Sequence, residues 1–227
     1  MKKKRFIIFA AILIILSLAI FLAIIISENT GGVKYSVDEV KEILNNADEI
    51  KIKERIIAGN KSYRIFVNDE YIANVTGKYI NITGEVLSLT NISGELVGKE
   101  KQIKRWGIKL NRLAEMYDNE GNVVGYMGEE RLEDLFRVGY YFHFYDKDKN
   151  EIGVSDEVVS LLKKDKFYNT DKDEIYTVHK NFNLFTSAYT ITIKDSSDVS
   201  AEMAIFMTCI EDSIDKAEKE EAKEKEE

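Results

Sequence analysis

A chain of 227 residues with no proline, one cysteine and 40 acidic against 32 basic residues excludes several classes at once. The single thiol, Cys209, permits no intramolecular disulfide, so the fold must rest on its core. Four of the basic residues stand in the first five positions; the other 28 face all 40 acidic ones, and a surface with a formal charge of −12 repels nucleic acid, which is not an expected partner.

Lys2, Lys3, Lys4 and Arg5 precede an apolar run from Phe6 to Ile26, interrupted only by Ser17. At a rise of about 1.5 Å per residue this run makes a rod of about 31 Å, matching the hydrocarbon thickness of a bilayer. The expectation is a single-pass anchor in the cell membrane. Residues 1–5 form a cytoplasmic basic stub, 6–26 cross the membrane, and the main domain lies on the extracytoplasmic side. The competing reading is a cleaved signal peptide, but those have shorter apolar cores and a small-x-small motif that Ile24–Glu28 does not match. No cysteine follows the run, which excludes a lipid-modified lipoprotein.

Residues 27–49 read as a linker and a short amphipathic helix. Ser36-Val37-Asp38-Glu39 is a capping box, and Val40, Ile43 and Leu44 follow at helical spacing, predicting a helix over 37–46. From Ile50 the period changes to two. Ile50–Lys53, Tyr63–Val67, Tyr79–Ile82, Val86–Leu89 and Tyr140–Phe144 alternate as half-buried strands do, with turn clusters between them, among them Thr83-Gly84. Three hairpins resemble one another: Leu89–Gly98, Met116–Gly125 and Phe144–Gly153. In each, an apolar strand ends at Asn or Asp, a polar turn follows, and a short strand runs to Gly. Phe66–Asn74 is a degenerate copy. Such repetition predicts a meander that adds strands sequentially to one sheet.

Val158–Lys166 is ambiguous between strand and short helix, and Asn169–Asp173 reads as a loop. Ile175–Val178 and Ala188–Ile193 read as the last strands. Asp195-Ser196-Ser197-Asp198 offers N-caps for a helix in which Met203–Ile210 is apolar on every side, with Thr208 the one clear polar interruption. Eight residues cannot cross a bilayer, so the rest of the fold must enclose this helix, most simply as a closed barrel. The barrel domain is expected over 50–215. Residues 216–227, rich in Glu and Lys, read as a charged tail, either a solvated helix extension that frays or disordered.

Hairpins of this form, followed by a strand like Ala188–Ile193, a short Asp/Ser turn and an apolar helix of the type Met203–Asp212, resemble the LURP-one-related family. That family lies in the tubby C-terminal-like superfamily, which also takes in the phospholipid scramblases. The resemblance covers roughly Ile50 to Asp215. It implies a mainly β fold: a closed antiparallel barrel of about twelve strands around a C-terminal hydrophobic helix. It also implies a loose association with membranes, since tubby domains bind phosphoinositide head groups through basic side chains. No such binding motif maps onto this sequence.

The chemistry-bearing clusters are sparse. Asp146, Asp148, Asn150 and Glu157 have the spacing of a calcium loop, but Glu151 stands where the sharp turn needs Gly, and the flanks read as strands. His143 and His179 are the only histidines and, with one buried cysteine, cannot build a structural zinc site. No Gly-x-Ser-x-Gly elbow or phosphate-binding glycine loop is present. The expectation is therefore no enzyme, no metal and no cofactor. The densest basic stretch of the outer domain supplies a candidate docking site for lipid head groups or an anionic polymer: Lys101, Lys104, Arg105, Trp106 and Lys109, flanked by Lys99 and Arg112. The chain reads as a membrane-anchored, non-catalytic binding or scaffolding module. Its expected partners are the membrane through Phe6–Ile26 and lipid head groups or another membrane or envelope protein. The alternative is a lipid-interacting, scramblase-like protein.

Overall fold

Period-two alternation resolves into twelve strands: β1 (Glu49–Glu54), β2 (Asn60–Val67), β3 (Glu70–Lys78), β4 (Val86–Asn91), β5 (Leu96–Lys104), β6 (Asn111–Asp118), β7 (Val123–Asp134), β8 (Arg137–Asp146), β9 (Glu151–Ser155), β10 (Lys164–Asn169), β11 (Glu174–Asn181) and β12 (Ala188–Ile193). Two helices flank them, α1 (Val37–Asn45) and α2 (Ala201–Glu224). This computed structural model describes residues 34–55, 60–78, 86–104, 111–134, 137–157, 164–181, 187–195 and 198–224. The predicted anchor at 6–26, the predicted strand at Tyr79–Ile82 and the predicted turn at Thr83-Gly84 lie outside them. Among the described residues no helix is long and apolar enough to cross a membrane.

Each strand pairs antiparallel with its chain neighbour, and β1 pairs with β12, closing the barrel. Registers such as Ile52 opposite both Ile65 and Tyr189 keep one set of side chains pointing inward. The inward set includes Ile50, Ile52, Ile65, Leu87, Leu89, Met116, Phe144, Phe167 and Ile191, all buried.

Helix α2 fills the lumen. From Met203 to Asp212 every residue is buried. Its neighbours come from all sides of the barrel. Asp212 meets Tyr63 of β2 and Tyr189 of β12. Phe206 faces Gly98 of β5, and Met203 faces Gly125 of β7. Met207 and Ile210 lie against Ala114, Met127 and Phe142, leaving a cavity of only about 10 Å³. Thr208 is tolerated because its hydroxyl donates to the Ala204 carbonyl at 2.8 Å, satisfying it within the helix. The N-cap is Ser200, whose hydroxyl accepts the Met203 amide at 3.3 Å, rather than any of Asp195–Asp198. The Asp198 carboxylate, two residues earlier, instead accepts from the Asn169 side chain at 3.4 Å. The predicted tail is helical to Glu224.

The capping box forms as predicted, with the Ser36 hydroxyl accepting from the Glu39 amide and the Glu39 carboxylate accepting from the Ser36 amide at 2.7 Å. Helix α1 packs against β4, β5 and α2 by burying Val40 and Leu44. The Asn91 amide ties it down by donating to the Tyr35 carbonyl at 2.9 Å.

The hairpin repeat has a physical cause. In four turns the first residue's amide donates to a carbonyl four residues on: Asn91 to Glu95, Asp118 to Asn122, Asp146 to Asn150 and Asn169 to Asp173. Its side-chain oxygen accepts that later residue's amide, at 2.8–2.9 Å. The Asn or Asp is therefore a clamp on its own turn. The fourth copy, Phe167–Tyr176, has Tyr176 where the others have glycine. Asn68 and Asp69 instead form a two-residue turn with both φ angles positive, which accounts for the degenerate copy. The ambiguous stretch 158–166 contributes Lys164–Lys166 to β10; its earlier residues lie outside the described set.

The closing glycines face the lumen where α2 enters. A Cβ on Gly125 would fall on Met203 Cε and lie 2.6 Å from the Tyr145 carbonyl oxygen, and one on Gly153 would lie 2.9 Å from the Tyr168 carbonyl oxygen. Gly125→Ala is expected to destabilise by about 1–3 kcal/mol, measured as a shift of the denaturant midpoint at unchanged slope.

Candidate functional site

Strand β5 alternates cleanly, sending Glu100 and Gln102 into the barrel, where they are buried, and Lys99, Lys101 and Ile103 outward. Lys101 is therefore displayed as a docking residue must be. The backbone of Lys104 ends β5, opposite Leu113, just past a register shift. Arg105, Trp106 and Lys109 lie outside the described residues, so the structure brings together only the first part of the predicted set.

Beside Lys101 the turn between β6 and β7 rises over β5 and leaves a surface groove of about 420 Å³. Leu96, Lys99, Lys101, Tyr117 and Asp118–Gly121 line it. Lys99 and Tyr117 are cross-strand partners, and the Lys99 ammonium stands 5.7 Å from the Tyr117 ring. The Tyr117 hydroxyl donates to Glu115, and that bond, with some burial, pushes its pKa up to about 12. The groove thus offers two ammonium groups and an aromatic ring, with Glu120 at its rim. That arrangement can hold an anionic group by charge and an apolar edge by stacking, but it contains no nucleophile paired with a base.

The acidic turns are occupied by their own backbone. Asp146 Oδ1 accepts from the amides of Asp148 and Asn150, and Oδ2 accepts from the Asn150 side chain. The Asn150 side chain and these amides hold the Asp146 carboxyl below its ordinary range. The calcium-like spacing therefore arises from a hairpin clamp. Among the described residues no three His, Cys, Asp or Glu side chains are grouped to hold a metal.

Inside the barrel lies a polar cluster that the sequence reading did not single out. Asp212, fully buried, accepts from the hydroxyls of Tyr63 and Tyr189 at 2.8 Å each and from Lys216 at 2.7 Å. Lys216 also donates to Glu54, whose other oxygen accepts the Ser187 amide at 3.0 Å. Burial pushes the Asp212 carboxyl up, but the Lys216 charge and hydrogen bond, with Ser187 and Tyr63, outweigh it and hold the group below its ordinary range. The cue was an Asp and a Lys four residues apart at the end of an apolar helix. This cluster fastens α2 to β1, β2 and β12.

No protein-family model matches the chain, and no curated protein does. Among solved structures, a DUF1329 family protein from Desulfovibrio piger is similar at 8% identity, covering 68% of this chain and 86% of that one, with a TM-score of 0.25. A superposition at that level carries no argument about fold or function.

Proposed function

We propose that this protein is a membrane-anchored, non-catalytic binding or scaffolding module of tubby-like fold, held on the extracytoplasmic side by residues 6–26. The observation that carries the reading is the filled lumen. Helix α2 occupies the space where a barrel of this kind would hold a small molecule or an acyl chain, so recognition falls to the outer wall. The tubby-like assignment is supported by the twelve-strand meander wrapped round an apolar C-terminal helix and by the repeated Asn/Asp-clamped hairpins. A partner protein in the membrane or envelope suits an outer wall of mixed charge better than a bare anionic bilayer, because the domain's net −12 opposes such a bilayer.

Membrane fractionation of the full chain tests the anchor: the protein should remain in the pellet after an alkaline wash, and removal of residues 1–32 should release it. The fluorescence of Trp106, the chain's one tryptophan, tests the docking surface. Titration of the released domain with vesicles of anionic phospholipid should leave the emission maximum unchanged. A blue shift that saturates with lipid and fades with salt would replace scaffolding with the lipid-interacting alternative.

A further inference from the structure

Lys51 of β1 is held on the outer wall by Asp69 at 2.7 Å, and Lys166 of β10 by Glu174 at 2.9 Å. Strand β5 differs. Among the described residues neither Lys99 nor Lys101 makes an ion pair. Glu115, opposite Lys101, instead accepts the Tyr117 hydroxyl, and the Lys99 ammonium stands over the Tyr117 ring. Two cations are thus left at the groove beside the β6–β7 turn, in a domain whose formal charge is −12.

The groove is built before anything enters it. Asp118 Oδ1 accepts from the amides of Glu120 and Asn122 at 2.9 Å each, and Oδ2 accepts from the Asn122 side chain at 3.0 Å, so this carboxylate is spent on its own turn. Lys41 of α1 donates to the Asn119 side chain at 2.5 Å and ties the turn to that helix. A wall fixed in this way lowers the ordering cost of binding. Lys99 and Lys101 stand two positions apart on one strand face, about 6.8 Å, the repeat at which an extended peptide presents its own alternate side chains. Next in the same outward row is Ile103, 43% exposed and one of two large apolar side chains exposed among the described residues.

Granted the binding module proposed above, we infer that this groove receives an extended acidic segment of a partner protein. Two carboxylate side chains at alternate positions face Lys99 and Lys101, and an apolar side chain two positions further meets Ile103. Leu96 and Tyr117 line the recess and take the aliphatic stems of the segment. A flat anionic bilayer meets the net negative charge of the wall before it reaches the recess, whereas a single extended chain enters it.

The test uses the peptide Glu-Ser-Glu-Ser-Leu, blocked as an amide and carrying a rhodamine of zero net charge. It is titrated with the full chain in non-ionic detergent and read by fluorescence anisotropy. Binding should saturate, and it should weaken about five- to twentyfold in the Lys99→Gln, Lys101→Gln double variant, the size expected of two exposed ion pairs. Glu120→Gln, which removes the acidic group at the rim, should tighten it about twofold. Lys147→Gln with Lys172→Gln, at exposed lysines of other turns, should leave it unchanged. The same peptide with Gln in place of Glu should not bind. Absence of saturable binding by the wild type, equal affinity in the β5 double variant, or displacement of the peptide by vesicles of anionic phospholipid would overturn the acidic occupant. A chain that fails in this way but still pellets after the alkaline wash loses that occupant and keeps its anchor.

Discussion

Phe206→Ala should lower the free energy of unfolding by about 3–5 kcal/mol. Phe206 is fully buried at the middle of the apolar part of α2 and packs towards Gly98, where the wall has no side chain of its own. Truncation removes the ring's transfer free energy and leaves a void. Twelve strands closed by hydrogen bonds cannot collapse onto that void as a loose helix bundle could. A denaturant melt of the variant at neutral pH, followed by far-ultraviolet circular dichroism, measures the effect. Near-wild-type stability would mean that α2 does not fill the lumen.

The second large effect is expected at Asp212. Asp212→Ala leaves the Tyr63 and Tyr189 hydroxyls without their acceptor and Lys216 with Glu54 alone, and should cost about 3–5 kcal/mol. The pH dependence has a definite sign. The Asp212 pKa is lowered in the fold, so its contribution is present above the unfolded value of about 3.9 and is lost as pH falls through the folded one. For Lys216 burial acts downward, but Asp212 and Glu54 outweigh it and raise the pKa. Its contribution is therefore present below about 10.4 and is lost as pH rises through the folded value. Between those limits the cluster is intact. Melts of wild type and Asp212→Ala should converge in strong acid and differ most between about pH 5 and 9. A difference independent of pH would show that the carboxylate acts by packing alone.

The barrel was legible because strands with one face in a core alternate, as β1, β4 and β10 do; β11, with Ile175–Val178 all buried, is the exception. The enclosed helix was legible because Met203–Ile210 has no polar face to give to water. The repeated turns were legible where a glycine follows the clamp residue by seven positions, at Gly98, Gly125 and Gly153. The fourth, Asn169–Asp173, read only as a loop because the buried Tyr176 stands at that position. The buried carboxylates were hidden for a related reason. Glu100 and Glu129 occupy inward positions of β5 and β7, beside Lys99, Lys101 and Glu130, which face out, and a charge at such a position reads as solvated until the register is known. Asp212 has the same disguise, standing where the apolar helix passes into a charged tail. As for the candidate site, the sequence singled out Lys101, but the Lys99–Tyr117 pairing that shapes the groove depends on β5–β6 alignment, which composition does not encode.

The order of strands has a bearing on how the molecule assembles. Eleven of its twelve ladders join segments adjacent along the chain, and each can zip from its own turn with little loop to close. Only the β1–β12 ladder must bring together remote ends of the domain, and both of those strands also touch the Asp212 cluster through Glu54 and Tyr189. The closing step and the docking of the helix are therefore one event, so an incomplete chain that lacks its last thirty or so residues would present an open, sticky sheet rather than a smaller barrel.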